Sequence, residues 1–171
     1  MSGDKGTSHL SPVPLGVSIK TRIERGMGNA PESYNVELTI LEFVRGEEAW
    51  ERVEAQGVSD EPPKVGFEYI LARMKVGYFR RGRGFGDEAY EVTEGQFAAV
   101  SADSKTEFEI PSVLQQPQPQ LIDGIFYPGE SREGWILLQV PKHDKKPLLI
   151  FKRENVEGVY WVWGYVWFQL Y

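Results

Sequence analysis

The stretch Gly158-Val159-Tyr160-Trp161-Val162-Trp163-Gly164-Tyr165-Val166-Trp167-Phe168-Gln169-Leu170-Tyr171 constrains the fold more than any other part of this chain. With a period of two, Tyr160, Val162, Val166, Phe168 and Leu170 share one face, and Trp161, Trp163, Tyr165 and Trp167 share the other. Alternation of this length in β-branched and aromatic residues is the pattern of a strand. The first face is core. The second is a row of rings ~6.6 Å apart along the strand. Such a row is covered by the rest of the fold, fills a homo-oligomer interface, or stacks on sugar rings. Left bare it would exceed the apolar patch a monomer tolerates, so the expectation is cover, by the fold first and a second copy second.

The same period recurs upstream. Strands are expected at 17–23, 34–44, 67–79, 88–92, 96–101, 106–110, 122–127, 134–140 and 148–153. In the 67–79 strand, Ile70, Ala72, Met74, Val76 and Tyr78 form one face, while Tyr69, Leu71, Arg73 and Lys75 turn from apolar to charged along the other. Residues 47–55 read as a short helix: Glu47 and Glu48 suit its first turn, Ala49, Trp50 and Val53 form an inward stripe, and Gly57 ends it. A Gly/Asn/Pro loop is expected at 26–33, and the Pro/Gln-rich run 111–120 as an extended crossing. Residues 1–16, small and polar with Pro12 and Pro14, read as a flexible N-terminal tether without the pattern of a signal peptide. Short strands with regular turn signals and one helix describe a β-sandwich or barrel over 17–171, with no βαβ alternation and no fixed repeat.

Composition removes several functions. A net charge of −6 lacks the basic footprint of a nucleic-acid binder. No apolar run reaches the ~18 residues of a membrane span. Without cysteine there is no disulfide, thiolate or iron–sulfur chemistry. The two histidines, His9 and His143, fall in no ligand spacing, and Asp60, Glu61 and Asp123 lie in turns without an Asp-x-Asp-x-Asp loop, so neither a metal nor a cofactor is expected. Gly129-Glu130-Ser131-Arg132-Glu133-Gly134 is one residue too long for a nucleophile elbow and precedes a strand. With 25 acidic residues, carboxylate pairs arise by chance, and no catalytic residue is assigned. The one basic cluster, Arg80-Arg81-Gly82-Arg83-Gly84-Phe85-Gly86, has no helix behind it to cradle phosphate. It reads either as a contact for an anionic partner or as a hairpin tip whose arginines keep an edge soluble, offset by Asp87 and Glu88.

Several segments together carry a resemblance. Pro14-Leu15-Gly16 opens the first strand, and Val44-Arg45-Gly46-Glu47-Glu48-Ala49-Trp50 leads into the helix. Glu61-Pro62-Pro63-Lys64-Val65-Gly66-Phe67-Glu68-Tyr69-Ile70-Leu71 leads into the long strand, and Tyr127-Pro128-Gly129 precedes Glu133-Gly134-Trp135-Ile136-Leu137-Leu138-Gln139-Val140-Pro141. Over roughly residues 14 to 153 the chain resembles the bacterial immunoglobulin-like domains of unknown function in secreted proteins and lipoproteins, the superfamily of the mycobacterial secreted immunoprotective antigen. The resemblance implies an all-β, immunoglobulin-like antiparallel β-sandwich with one short helix, outside the cytoplasm, with no catalytic residues to carry over. The lipid-attachment cysteine of lipoproteins is not in the sequence, and the aromatic last strand is unusually rich. Gly66 and Gly134 fit turns where positive φ is useful, and Trp50 and Trp135 fit as large pieces between the sheets.

The expected function is a non-enzymatic extracytoplasmic binding or protein-interaction domain. Its partner would be a protein or a component of the cell envelope. The alternatives are a carbohydrate-binding module or a hydrolase using surface carboxylates. The candidate binding residues are Trp161, Trp163, Tyr165, Trp167, Arg80, Arg81 and Arg83.

Overall fold

The computed structural model describes residues 5–25, 32–83, 86–154 and 160–171, and of 154 and 160–163 the backbone alone. In chain order the elements are β1 (Ile19–Arg25), β2 (Glu32–Arg45), α1 (Glu47–Ala55), β3 (Phe67–Arg80), β4 (Tyr90–Val92), β5 (Phe97–Val100), β6 (Gly124–Phe126), β7 (Glu130–Pro141), β8 (Leu148–Glu154) and β9 (Tyr160–Gln169). They form a four-stranded sheet β1-β2-β3-β7, a three-stranded sheet β5-β8-β9 and a small ribbon β4-β6, with every strand pairing antiparallel. The expected all-β antiparallel sandwich with one short helix is the architecture observed.

Period-two alternation places the core. Val36, Leu38 and Ile40 of β2 and Ile70, Ala72, Met74 and Val76 of β3 point inward from the larger sheet. Phe97, Leu149, Phe151, Val166 and Phe168 meet them from the smaller one. Each large side chain removed from water here contributes roughly 1.5–3 kcal/mol. The inward face read for the last strand is therefore the core face, with Val166, Phe168 and Leu170 all buried.

Helix α1 packs on the outer face of the larger sheet. Ala49 and Val53 cover Tyr69, Leu71 and Leu137 there. Beyond the helix the same face becomes an ion ladder, in which Arg73 reaches Glu42 at 3.1 Å and Glu133 at 2.8 Å. The change from apolar to charged along β3 thus marks where the helix stops covering the strand. Trp50 and Trp135 do not lie between the sheets as expected. Trp135 pairs with Arg73 across β3–β7, and that register puts it on the outer face. Trp50 stacks 6.0 Å from Tyr69, and Arg52 lies 5.7 Å over the Trp135 ring.

The Pro/Gln-rich crossing runs beside β7. Trp135 N–H donates to the Pro119 carbonyl at 3.0 Å, and Gln120 bridges Trp135 in parallel. The peptide bond between Gln118 and Pro119 is cis. Gly66 does adopt positive φ, but Gly134 does not. Gly134 sits inside β7, where the crossing's backbone presses against its α-carbon. The strand expected at 106–110 reduces to one bridge, Val100 with Glu107, after which the chain turns away.

The N-terminal segment also departs from expectation. Over its described part it is held along β9: Val13 N–H donates to the Trp167 carbonyl at 2.7 Å, and Gln169 N–H to the Val13 carbonyl at 2.9 Å. Trp167 N–H donates to the Gly6 carbonyl at 2.9 Å, and the Val13 side chain is buried. Residues 5–16 are thus part of the sandwich edge and not a tether, while residues 1–4 and most of the expected 26–33 loop lie outside the described residues. Among the described residues no helix is long and apolar enough to cross a membrane.

Candidate functional site

Strand β9 is placed by β8, which pairs Ile150 with Trp167 and Lys152 with Tyr165. That register sets both rings on the outer face of the smaller sheet, above Ala98, Val100, Leu148 and Ile150. These four are at most 2% exposed, whereas Tyr165 and Trp167 are half-buried. The His9 ring meets Trp167 edge-on at 5.9 Å, so the N-terminal segment covers the row from one side. Lys152 lies 5.9 Å over the Tyr165 ring and is held by Glu107 at 2.5 Å. Leu10, 83% exposed, adds an apolar tip to that same segment. The side chains of Trp161 and Trp163 lie outside the described residues. Among the described residues the expected cover is therefore partial: Tyr165 and Trp167 pack against an apolar cluster and are each partly exposed.

The arginine run belongs to a different sheet. Arg80 ends β3, donates to the Gly86 carbonyl at 2.7 Å and pairs with Asp87. Arg81 and Arg83 are exposed, and Gly84 and Phe85 lie outside the described residues. Among the described residues, Tyr165 and Trp167 of the aromatic row and the arginines lie on different sheets and do not share a site. Beneath the loop stands a feature the sequence reading missed, a tyrosine stack. Tyr34 and Tyr78 are 4.9 Å apart, Tyr78 and Tyr90 5.3 Å, and Tyr90 and Phe126 6.4 Å. Tyr78 donates its hydroxyl to the Glu88 carbonyl at 2.8 Å, and Arg25 caps Tyr90 at 4.8 Å. Burial, more than any neighbouring charge, pushes the Tyr34 and Tyr78 hydroxyls above their ordinary proton affinity. The inward parity of Tyr78 on β3 was legible, but its partners come from separate strands.

The carboxyls with a shifted proton affinity carry no general-acid signature. The Ser101 hydroxyl, then the Lys105 backbone, hold Asp103 below the usual range, and Lys64 does the same to Glu109. Both stay ionised at neutral pH, the opposite of what a proton donor to a leaving group requires. Among the described residues no group of three or more acidic or histidine side chains is placed to hold a metal. His143 is exposed in the turn after β7.

A comparison of the chain with protein-family models, with curated proteins and with solved structures finds no match.

Proposed function

We propose that this chain is a non-enzymatic extracytoplasmic binding domain that contacts a protein partner through the outer face of β5-β8-β9. The observation that carries the contact surface is the partly exposed pair Tyr165 and Trp167 packed against the buried apolar residues Ala98, Val100, Leu148 and Ile150. Rings in that position gain contact area on docking at small cost in side-chain freedom. The location outside the cytoplasm rests on the resemblance to secreted immunoglobulin-like domains.

Placing a photo-crosslinking phenylalanine analogue at Tyr165, in the cell that makes the protein, tests both halves of this reading. The expected product is an adduct with a protein of the cell envelope or exterior. An adduct with polysaccharide would replace the reading with a carbohydrate-binding module, and one with a second copy would make the face a homo-oligomer interface. Adducts confined to cytoplasmic proteins would sink it.

A further inference from the structure

On the outer face of the larger sheet, where Tyr69 of β3 pairs with Gln139 of β7, opens a groove of about 210 Å3. Its rims are the turn at 61–64 and the chain at 109–112, with Pro62 and Pro111 among its walls. Its volume is below the roughly 300–1,000 Å3 of a drug-sized pocket, so it suits one residue of a longer ligand. Gln139 is the residue out of place there. Every other residue from Trp135 to Val140 is apolar, and Trp135 and Leu137, which share its outward parity, pack against apolar neighbours. Gln139 is 5% exposed and lines the groove. Its Oε1 accepts the Lys64 N–H at 3.0 Å, a bond that fixes which end of the carboxamide is oxygen. Among the described residues its Nε2 has no acceptor. A donor withdrawn from water and left unmet costs free energy, which an incoming carbonyl would recover.

The rim around that donor is held in place. Tyr69 donates its hydroxyl to the Glu61 carbonyl at 2.8 Å, and the Ser59 hydroxyl accepts the Glu61 N–H at 3.1 Å. Pro62 and Pro63 fix their own φ. Lys64 pairs with Glu109 from rim to rim at 2.7 Å. The carboxylate of Glu61, which also lines the groove, has no partner among the described residues. Two carboxylates against one ammonium leave the groove net negative, and the whole chain carries −6. Both favour a cation over an anion.

We infer that this groove binds one arginine of an extended peptide, whose backbone carbonyl accepts from Gln139 Nε2 and whose guanidinium pairs with Glu61. A guanidinium meets a carboxylate as a two-pronged fork and is less strongly hydrated than an ammonium, which suits it to a partly enclosed groove. The carbonyl holds the peptide and the charge chooses the residue. Because the rim is already ordered, little freedom is lost on binding. The groove lies on the other sheet from Tyr165 and Trp167. The inference stands whether or not that aromatic face meets a protein.

Titrating the full chain with a blocked glycine–arginine–glycine peptide, followed by NMR of the side-chain amides, tests it. The expected result is a downfield shift and slowed exchange of the Gln139 carboxamide protons, with millimolar affinity for so short a ligand. Glu61→Gln, at an exposed position, should weaken binding on the order of tenfold, equivalent to ~1.4 kcal/mol. Butylguanidine, which carries the cation without a carbonyl, should bind at least as much more weakly and leave the Gln139 signal where it was. Equal binding of butylguanidine would reduce the groove to a charge attractor and overturn the proposal. So would equal binding of a blocked glycine–glutamate–glycine peptide, full affinity in Glu61→Gln, or a Gln139 signal unmoved at millimolar peptide.

Discussion

Arg45 and Glu68 face one another across the inner pair of the large sheet, Nε to Oε1 at 2.7 Å, each with about a fifth of its side chain exposed. Arg45 also donates to the Asp144 carbonyl at 2.9 Å, so a single guanidinium joins β2, β3 and the turn between β7 and β8. Arg45→Ala is expected to cost about 2 kcal/mol, because it strands a partly buried carboxylate and an unpaired carbonyl. Arg45→Lys should recover little of this, since an ammonium cannot hold both partners in the guanidinium's fork. Denaturant midpoints of the two variants decide it, and a lysine variant as stable as the parent would count against the double role.

Gly134→Ala is expected to destabilise by ~1–3 kcal/mol, with the damage local to the Pro/Gln-rich crossing. A Cβ would fall 2.7 Å from the Pro119 carbonyl oxygen and 2.8 Å from the Leu121 Cβ. The crossing would have to lift, releasing the Trp135 amide. Hydrogen exchange should accelerate at Trp135 and not at Met74, its neighbour towards the core. Uniform acceleration would mean a global effect.

Stability should fall as alkali rises above about pH 10. Tyr34, Tyr69 and Tyr78 all have proton affinities raised above 10.0 by burial. The folded state therefore holds these protons more tightly than the unfolded chain. The stabilisation is complete below the unfolded value and is lost as pH climbs through it towards the folded one. Tyr78→Phe should cost ~1 kcal/mol at neutral pH by deleting the bond to Glu88. It should also flatten the alkaline decline, because one such proton is gone. Denaturant curves collected across pH test the sign, and a steeper decline in the variant would refute the assignment.

Trp167 and Phe168 are adjacent and face opposite ways. Phe168→Ala, in the core with no exposure, is expected to cost ~3–5 kcal/mol. Trp167→Ala should cost less than ~3 kcal/mol, because its larger ring is already partly exposed to water. Calorimetric unfolding of the two variants provides the ranking, and a reversed order would show that the outer face is the better packed.

Much of this fold was legible in the chain because its elements announce themselves locally. The helix occupies the span read for it, and the parity of Val166, Phe168 and Leu170 chose the correct face of β9. Parity gives two faces, however, without saying what lies against each. Trp50 and Trp135 were therefore sent between the sheets, when Trp50, on the helix, and Trp135, on β7, both pack on the outer face of the larger sheet. Residues 5–16 looked like a tether because their order comes from backbone hydrogen bonds to a strand edge, which leave no mark in side-chain type. The candidate rings were found by their spacing. The tyrosine stack was not, since Tyr34, Tyr78, Tyr90 and Phe126 lie on four different strands and come together only in the fold.

The bridge between Val13 and Phe168 sets an order of events. Nearly the whole described chain separates those two residues, so the edge they form closes one of the longest loops in the molecule, and such closures come late. During synthesis the stretch around Val13 must wait, unpaired, until β9 has cleared the ribosome, and for that interval the nascent sandwich lacks its seal. Pulse-labelled hydrogen exchange should find the amides of Val13 and Gln169 among the last to gain protection. A chain stalled before Trp167 would carry the open edge of β8 as its most exposed template for mispairing.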